Sequence, residues 1–168
     1  MNTATRFPAF SESAFRRYFW SSCLSTLASW VLRFLLGWSA WALTGTATWV
    51  GIVSAAMLLP TFLLSPVFGV VSDRINPRNG MLLTLLGQGL IAAAAGTSQL
   101  LGLFSLPVLL VLACGVGAFT SAHQPMRLAL LPLLVSRAVL PGAIGISAIV
   151  FNSSRILGPA VGGWLLSR

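Results

Sequence analysis

From Trp49 to Val71 no side chain carries a charge. The hydrocarbon core of a bilayer is about 30 Å thick and takes about 20 helical residues to cross. We read five segments that meet this length: residues 18–43, 49–71, 81–99, 103–122 and 140–166. Of 168 residues, 57% are hydrophobic and 7% are charged, against about 25% charged in soluble domains. So few ionised groups cannot cover that much apolar surface in water, so the solvent for most of the chain is lipid. Strands of a membrane barrel alternate in polarity over about ten residues, and these runs do not. The expected fold class is an all-α membrane protein.

The net charge is +8, and every basic residue is arginine. Such a balance in a soluble protein points to nucleic acid. Here the arginines are scattered between apolar spans, and no nucleic-acid partner is expected. Arg6, Arg16 and Arg17 precede the first span, Arg74 and Arg78 separate the second from the third, and Arg127 and Arg137 separate the fourth from the fifth. The other two connectors are uncharged. The positive-inside rule then places a tail of residues 1–17 and both arginine-bearing loops in the cytoplasm. "FRRYFW" has the outline of a twin-arginine export signal, but the apolar run after it is about 26 residues, longer than an h-region of about 7–15. It reads as the flank of a retained span. Cys23 and Cys114 lie in apolar runs without CxxC spacing and read as small packing residues.

One connector concentrates charge. "GVVSDRINPRNG" holds Asp73, one of two acidic residues in the chain, beside Arg74 and Arg78. One reading makes the arginines topology anchors and Asp73 a helix-capping or solubilising residue. The other follows from spacing: Gly69, Asp73, Arg74 and Arg78 resemble the G-x-x-x-D-R-x-G-R-R signature of the major facilitator superfamily, which occupies the loop between spans two and three. Asn76 replaces its second glycine and Pro77 a basic residue. Gly69 would let helices approach closely, and Asp73 would accept hydrogen bonds from helix N-termini or pair with arginine. The resemblance implies that this cluster is a conformational latch in an alternating-access cycle.

Three further stretches resemble a bacterial exporter branch of that superfamily, which includes the enterobactin exporters and the transmembrane secretion effectors. "FLLGWSAWALTGTATWVGIV" resembles the end of its first span. "QPMRLALLPLLV" resembles its loop between spans four and five, with Pro125 and Arg127 among the matches. "FNSSRILGPAVGGWLL" resembles its fifth-span signature. With Gly145, the residues Ser154, Gly158, Pro159, Gly162 and Gly163 also approximate a G-x8-G-x3-G-P-x2-G-G pattern of proton-driven antiporters, Ser154 replacing a glycine. Read from the residues alone, Ser154, Gly158 and Gly162 form a small-xxx-small face suited to tight helix contact, and Pro159 removes a helical hydrogen bond. Packing and gating explain that face equally well.

Two arginines fall inside spans. Arg33 lies about 15 Å from the end of the first, and Arg155 about 22 Å into the fifth. An arginine left in hydrocarbon costs at least about 2.5–3.5 kcal/mol, so each must face protein or a wet cavity. Ser22, Thr26, Ser29, Arg33, Gly37 and Ala40 share one face of the first span, opposite Leu24, Val31, Leu35 and Trp38. The sharper expectation is a cavity in which Arg33, Thr26, Ser29, Asn152 and Arg155 attract an anionic or polar small molecule. The plainer one is that the arginines bond to carbonyls, or pair with acids elsewhere in a longer protein. His123 reads as an interfacial anchor rather than a proton relay. The tryptophans read mostly as an aromatic belt near helix ends. Metal-binding pairs, nucleotide loops and enzyme motifs are missing from the sequence, and no cofactor is expected. Nor do the spans hold a carboxylate to carry protons.

The resemblance implies a twelve-span transporter of which this chain supplies most of the first six-helix half, its partners being the lipid bilayer, a small-molecule substrate and the missing C-terminal half. The expected function is secondary-active efflux of a siderophore, drug or small amphiphile across a bacterial inner membrane. The rival is a complete five-span scaffold or assembly subunit.

Overall fold

The computed structural model describes residues 10 and 12–167; Arg6 lies outside them. Five helices follow one another: α1 (Ser13–Thr44), α2 (Ala47–Ser72), α3 (Pro77–Leu100), α4 (Leu106–Leu134) and α5 (Leu140–Leu166). All are long and apolar enough to cross a membrane. The shortest has 24 residues, about 36 Å at the α-helical rise, and so exceeds the bilayer core.

Local chemistry sets the breaks between them. Gly45, at φ 65°, closes α1 in the left-handed conformation and donates its N–H to the Trp41 carbonyl at 2.7 Å, a position that suits glycine because it has no Cβ. Helix α3 opens on Asn76, whose side-chain oxygen accepts the Arg78 N–H at 3.0 Å, with Pro77 as its first residue. Those two residues depart from the superfamily signature, and together they make a favourable helix start.

The observed helices outrun two expected boundaries. α1 begins at Ser13 rather than near residue 18. More consequentially, α4 continues to Leu134, through the stretch expected to be a loop from residue 123. Pro125 and Pro132 are both inside it. Proline is tolerated in a transmembrane helix because neighbouring groups satisfy the freed carbonyls.

The bundle is built around α4, which packs most extensively on α2 and α3, while α1 packs chiefly on α5. Two apolar clusters mark its ends. Leu36 and Ala40 of α1 meet Val53 and Met57 of α2 and Leu109, Leu112, Ala113 and Val116 of α4. At the other end, Phe15 of α1 meets Leu131 and Val135 at the end of α4 and Ala143 of α5. The end of α1 thus meets the starts of α2 and α4, and the start of α1 meets the end of α4 and the start of α5. Helices consecutive in the chain therefore alternate in direction, and the closely packed pairs α1–α5 and α2–α4 run parallel. Close approach relies on glycine: a Cβ at Gly117 would collide with the Met57 carbonyl of α2, and one at Gly158 or Gly162 with Trp30 or Phe34 of α1. The outer faces are apolar; Phe62 is 81% and Ile156 74% exposed, as lipid contact allows.

Candidate functional site

Between the two apolar clusters lies a polar layer. A cavity of about 180 Å³ opens there, bounded on α1 by Ser25, Thr26, Ser29, Trp30 and Arg33. Thr61 of α2, Gln88 of α3 and Phe151 of α5 complete it, together with Thr120, His123, Gln124 and Arg127 of α4. The helical period explains the composition. Thr26, Ser29 and Arg33 recur at steps of three and four on α1, and Thr120, His123 or Gln124, and Arg127 do so on α4.

Among the described residues the arginines here use neither carboxylates nor main-chain carbonyls. The Arg33 guanidinium donates to the Thr120 hydroxyl at 2.6 Å, and that hydroxyl in turn donates to the Val116 carbonyl at 2.7 Å. The same guanidinium lies 5.1 Å from the Trp30 ring centroid. Arg155 lies 5.9 Å from that indole, and Arg127 5.5 Å from the Phe151 ring. Phe151 and Trp30 meet edge to face at 5.7 Å. One aromatic pair thus serves three cations. A ring face contributes up to about 2 kcal/mol to a desolvated cation, part of what hydrocarbon would cost it.

Two polar side chains brace the layer. The Thr84 hydroxyl, which donates to the Met81 carbonyl at 2.9 Å, is 3.0 Å from His123 Nδ1. With its own proton engaged at Met81, the Thr84 oxygen is placed to accept from Nδ1–H. The Thr61 hydroxyl lies 2.9 Å from both the Met57 and Gly117 carbonyls and shares its one proton between them, tying α2 to α4 at the cavity wall.

Not every expected residue reaches the site. Thr26, Ser29 and Arg33 line the cavity. Asn152 is exposed and turns back to donate to its own Ala148 carbonyl at 2.9 Å. Arg155 lies outside the lining and touches the layer through Trp30. Arg127, expected as a loop residue, is inside α4 and lines the cavity, and Trp30 is a mid-helix support rather than part of a belt. Thr61, Gln88, Thr120 and Gln124 join the site beyond the expected set, and the α4 pair shows as a stripe once 120–127 is taken as helix. On α5, Ser154, Gly158 and Gly162 are buried, the two glycines directly against α1, whereas nothing approaches a Cβ at Gly145 or Gly163. Among the described residues no group of His, Cys, Asp or Glu could hold a metal.

The connector between α2 and α3 is built differently from its expectation. Asp73 ends α2 in an exposed position, and among the described residues its carboxylate makes no ion pair or hydrogen bond. The helix cap expected of it falls to Asn76. Nothing among the described residues lies within 4 Å of a Cβ at Gly69, so none of the five helices uses that glycine for close approach. Arg78 points instead toward a second pocket, which it shares with Arg17 of α1.

An all-helical bundle with a polar layer sealed between apolar ends has the architecture of a membrane carrier half. The chain belongs to the transmembrane secretion effector family of the major facilitator superfamily, whose match extends over residues 4–168. It is 30% identical over 149 residues to an uncharacterized MFS-type transporter, YfiS, of Bacillus subtilis, covering 88% of this chain and 34% of that protein. Similarity also extends to the staphyloferrin A transporter of Staphylococcus aureus, at 26% identity over 89% of this chain and 38% of the relative. A macrolide efflux protein A of Streptococcus pyogenes is 31% identical over 86% of this chain and 36% of its own length. The chain therefore spans little more than a third of the curated relatives it matches. No solved structure matches it significantly.

Proposed function

We propose that the chain forms five helices of the N-terminal half of a secondary-active exporter, in the branch that includes the enterobactin exporters, and that its polar layer is one wall of the substrate path. The N-terminus and the arginine-bearing connectors face the cytoplasm of a bacterial inner membrane, and the remaining helices come from sequence beyond these residues. Relatives named for a siderophore and for macrolide efflux support a small-molecule cargo. The observation that carries the reading is the cavity itself: Arg33 and Arg127 line it together, and no acidic side chain does. Thr120 takes one position on the Arg33 donor fork, and the rest is free to meet an acceptor-rich or anionic group. A siderophore or other anionic amphiphile fits that chemistry better than a cation. Asp73, Arg74 and Arg78 remain the proposed latch, with a partner outside the described residues.

The test is vesicle efflux by the full-length protein carrying this sequence, with an anionic siderophore chelate and a cationic drug compared side by side. Losing a charged hydrogen bond costs about 1.5–3 kcal/mol, so Arg33→Gln is expected to slow export of the anion about tenfold or more at unchanged expression. Equal export by the variant ends the substrate role of Arg33. Failure of the full-length protein to move any solute returns the chain to a scaffold.

A further inference from the structure

The second pocket has a different character from the central cavity and lies at the arginine-rich end of the bundle. It encloses about 530 Å³ among the start of α1, the start of α3 and the end of α4. Arg17 and Arg78 bring two guanidinium groups to it from two helices, and Ser21 and Ser22 add hydroxyls. Below them the wall is hydrocarbon, from Leu82, Leu85, Leu130 and Leu134. Tyr18 contributes its ring only, because its hydroxyl is buried away from solvent. The acidic residues nearest in sequence, Glu12 and Asp73, do not line it, so nothing in the pocket neutralises the two cations.

Charge at the rim of a membrane helix bundle with an apolar slot beneath it matches one kind of molecule. The geometry points to a binding site for an anionic phospholipid, its phosphodiester held between Arg17 and Arg78 and one acyl chain lying along Leu82, Leu85, Leu130 and Leu134. The two parts of the pocket act together. Guanidinium forks pair with phosphate oxygens in a bidentate manner, and basic pockets between transmembrane helices hold lipid head groups at this level. A free phosphate would satisfy the arginines but leave the leucine slot unfilled. A zwitterionic lipid would fill the slot but set its own cation against the arginines. The site is separate from the proposed substrate path and does not depend on it.

Native mass spectrometry of the full-length protein carrying this sequence, released from detergent micelles mixed with phosphatidylcholine and phosphatidylglycerol, tests this directly. One phosphatidylglycerol is expected to stay bound, and added inorganic phosphate should not displace it. Each arginine near an anionic headgroup contributes about fivefold in affinity, so Arg17→Gln and Arg78→Gln are each expected to weaken retention about fivefold. Arg17→Lys and Arg78→Lys, which keep the charge but lose the fork, should fall between the parent and the glutamine variants and so separate a lost contact from a lost fold. Arg16→Gln, one residue away and outside the pocket, should leave retention unchanged. Equal loss with Arg16→Gln would reduce the effect to diffuse surface charge and overturn the site, as would equal retention of phosphatidylcholine or displacement by phosphate. A photoactivatable phosphatidylglycerol that fails to label residues 78–85 would show protein rather than lipid filling the slot, and would also overturn it.

Discussion

Arginine is handled in two ways in this molecule. At the connector end, Arg16, Arg17, Arg74, Arg78 and Arg137 are all exposed, where water and head groups solvate them at little cost. Half a bundle away, the half-buried Arg33 and Arg127 and the exposed Arg155 lean on Trp30 and Phe151, and Arg33 adds one short hydrogen bond to Thr120. The same side chain thus faces outward at one depth and is held by ring faces at the other. What differs is the alternative available to the charge. In hydrocarbon there is no water to fall back on, so every neighbour that helps is worth more.

That contrast can be broken experimentally, beginning where most is at stake. Trp30→Ala removes the ring that serves Arg33 and Arg155 and empties the space above Gly158. Large-to-small changes of this kind cost about 3–5 kcal/mol, and the variant is expected to lose most of its resistance to unfolding in a mixed-micelle denaturant titration. Survival with little change would mean that Arg33 and Arg155 do not need the indole. Next in size is Thr120→Val, which keeps shape but deletes the acceptor for Arg33. A hydrogen bond to a charged group contributes about 1.5–3 kcal/mol, and a loss of that order is expected in the same titration. The smallest effect belongs to the rim. Arg137→Gln should stay within about 0.5 kcal/mol of the parent, because the exposed side chain has only solvent to lose. A drop comparable to that of Thr120→Val would erase the distinction between the two kinds of arginine.

Much of this architecture could be read without coordinates. Apolar length gave the number and type of the helices, since nothing but a helix satisfies its own backbone across lipid. The α1 face from Thr26 to Arg33 and the α5 face of Ser154, Gly158 and Gly162 both followed from spacing, because helical period is a local property. The misreadings have non-local causes. Proline, arginine and histidine between 123 and 127 look like a loop in one dimension; in the bundle, Phe151 from another helix supports Arg127 and Thr84 supports His123. The Arg33–Thr120 bond joins residues 87 apart in sequence, beyond the reach of any local pattern. Asp73 shows the converse. Its signature spacing is plain in the sequence, yet among the described residues its carboxylate has nothing to hold.

The seam between α1 and α5 is keyed twice at the same place. Gly158 sits beneath Trp30 and Gly162 beneath Phe34, while Arg155, on the same helix, rests near that same indole. Sliding α5 by half a turn, about 2.7 Å, would lift the glycines out of their notches and draw a cation away from its ring in a single motion. The two helices are therefore bound to travel as one strut, and any rocking of this bundle has to be taken up along its other contacts.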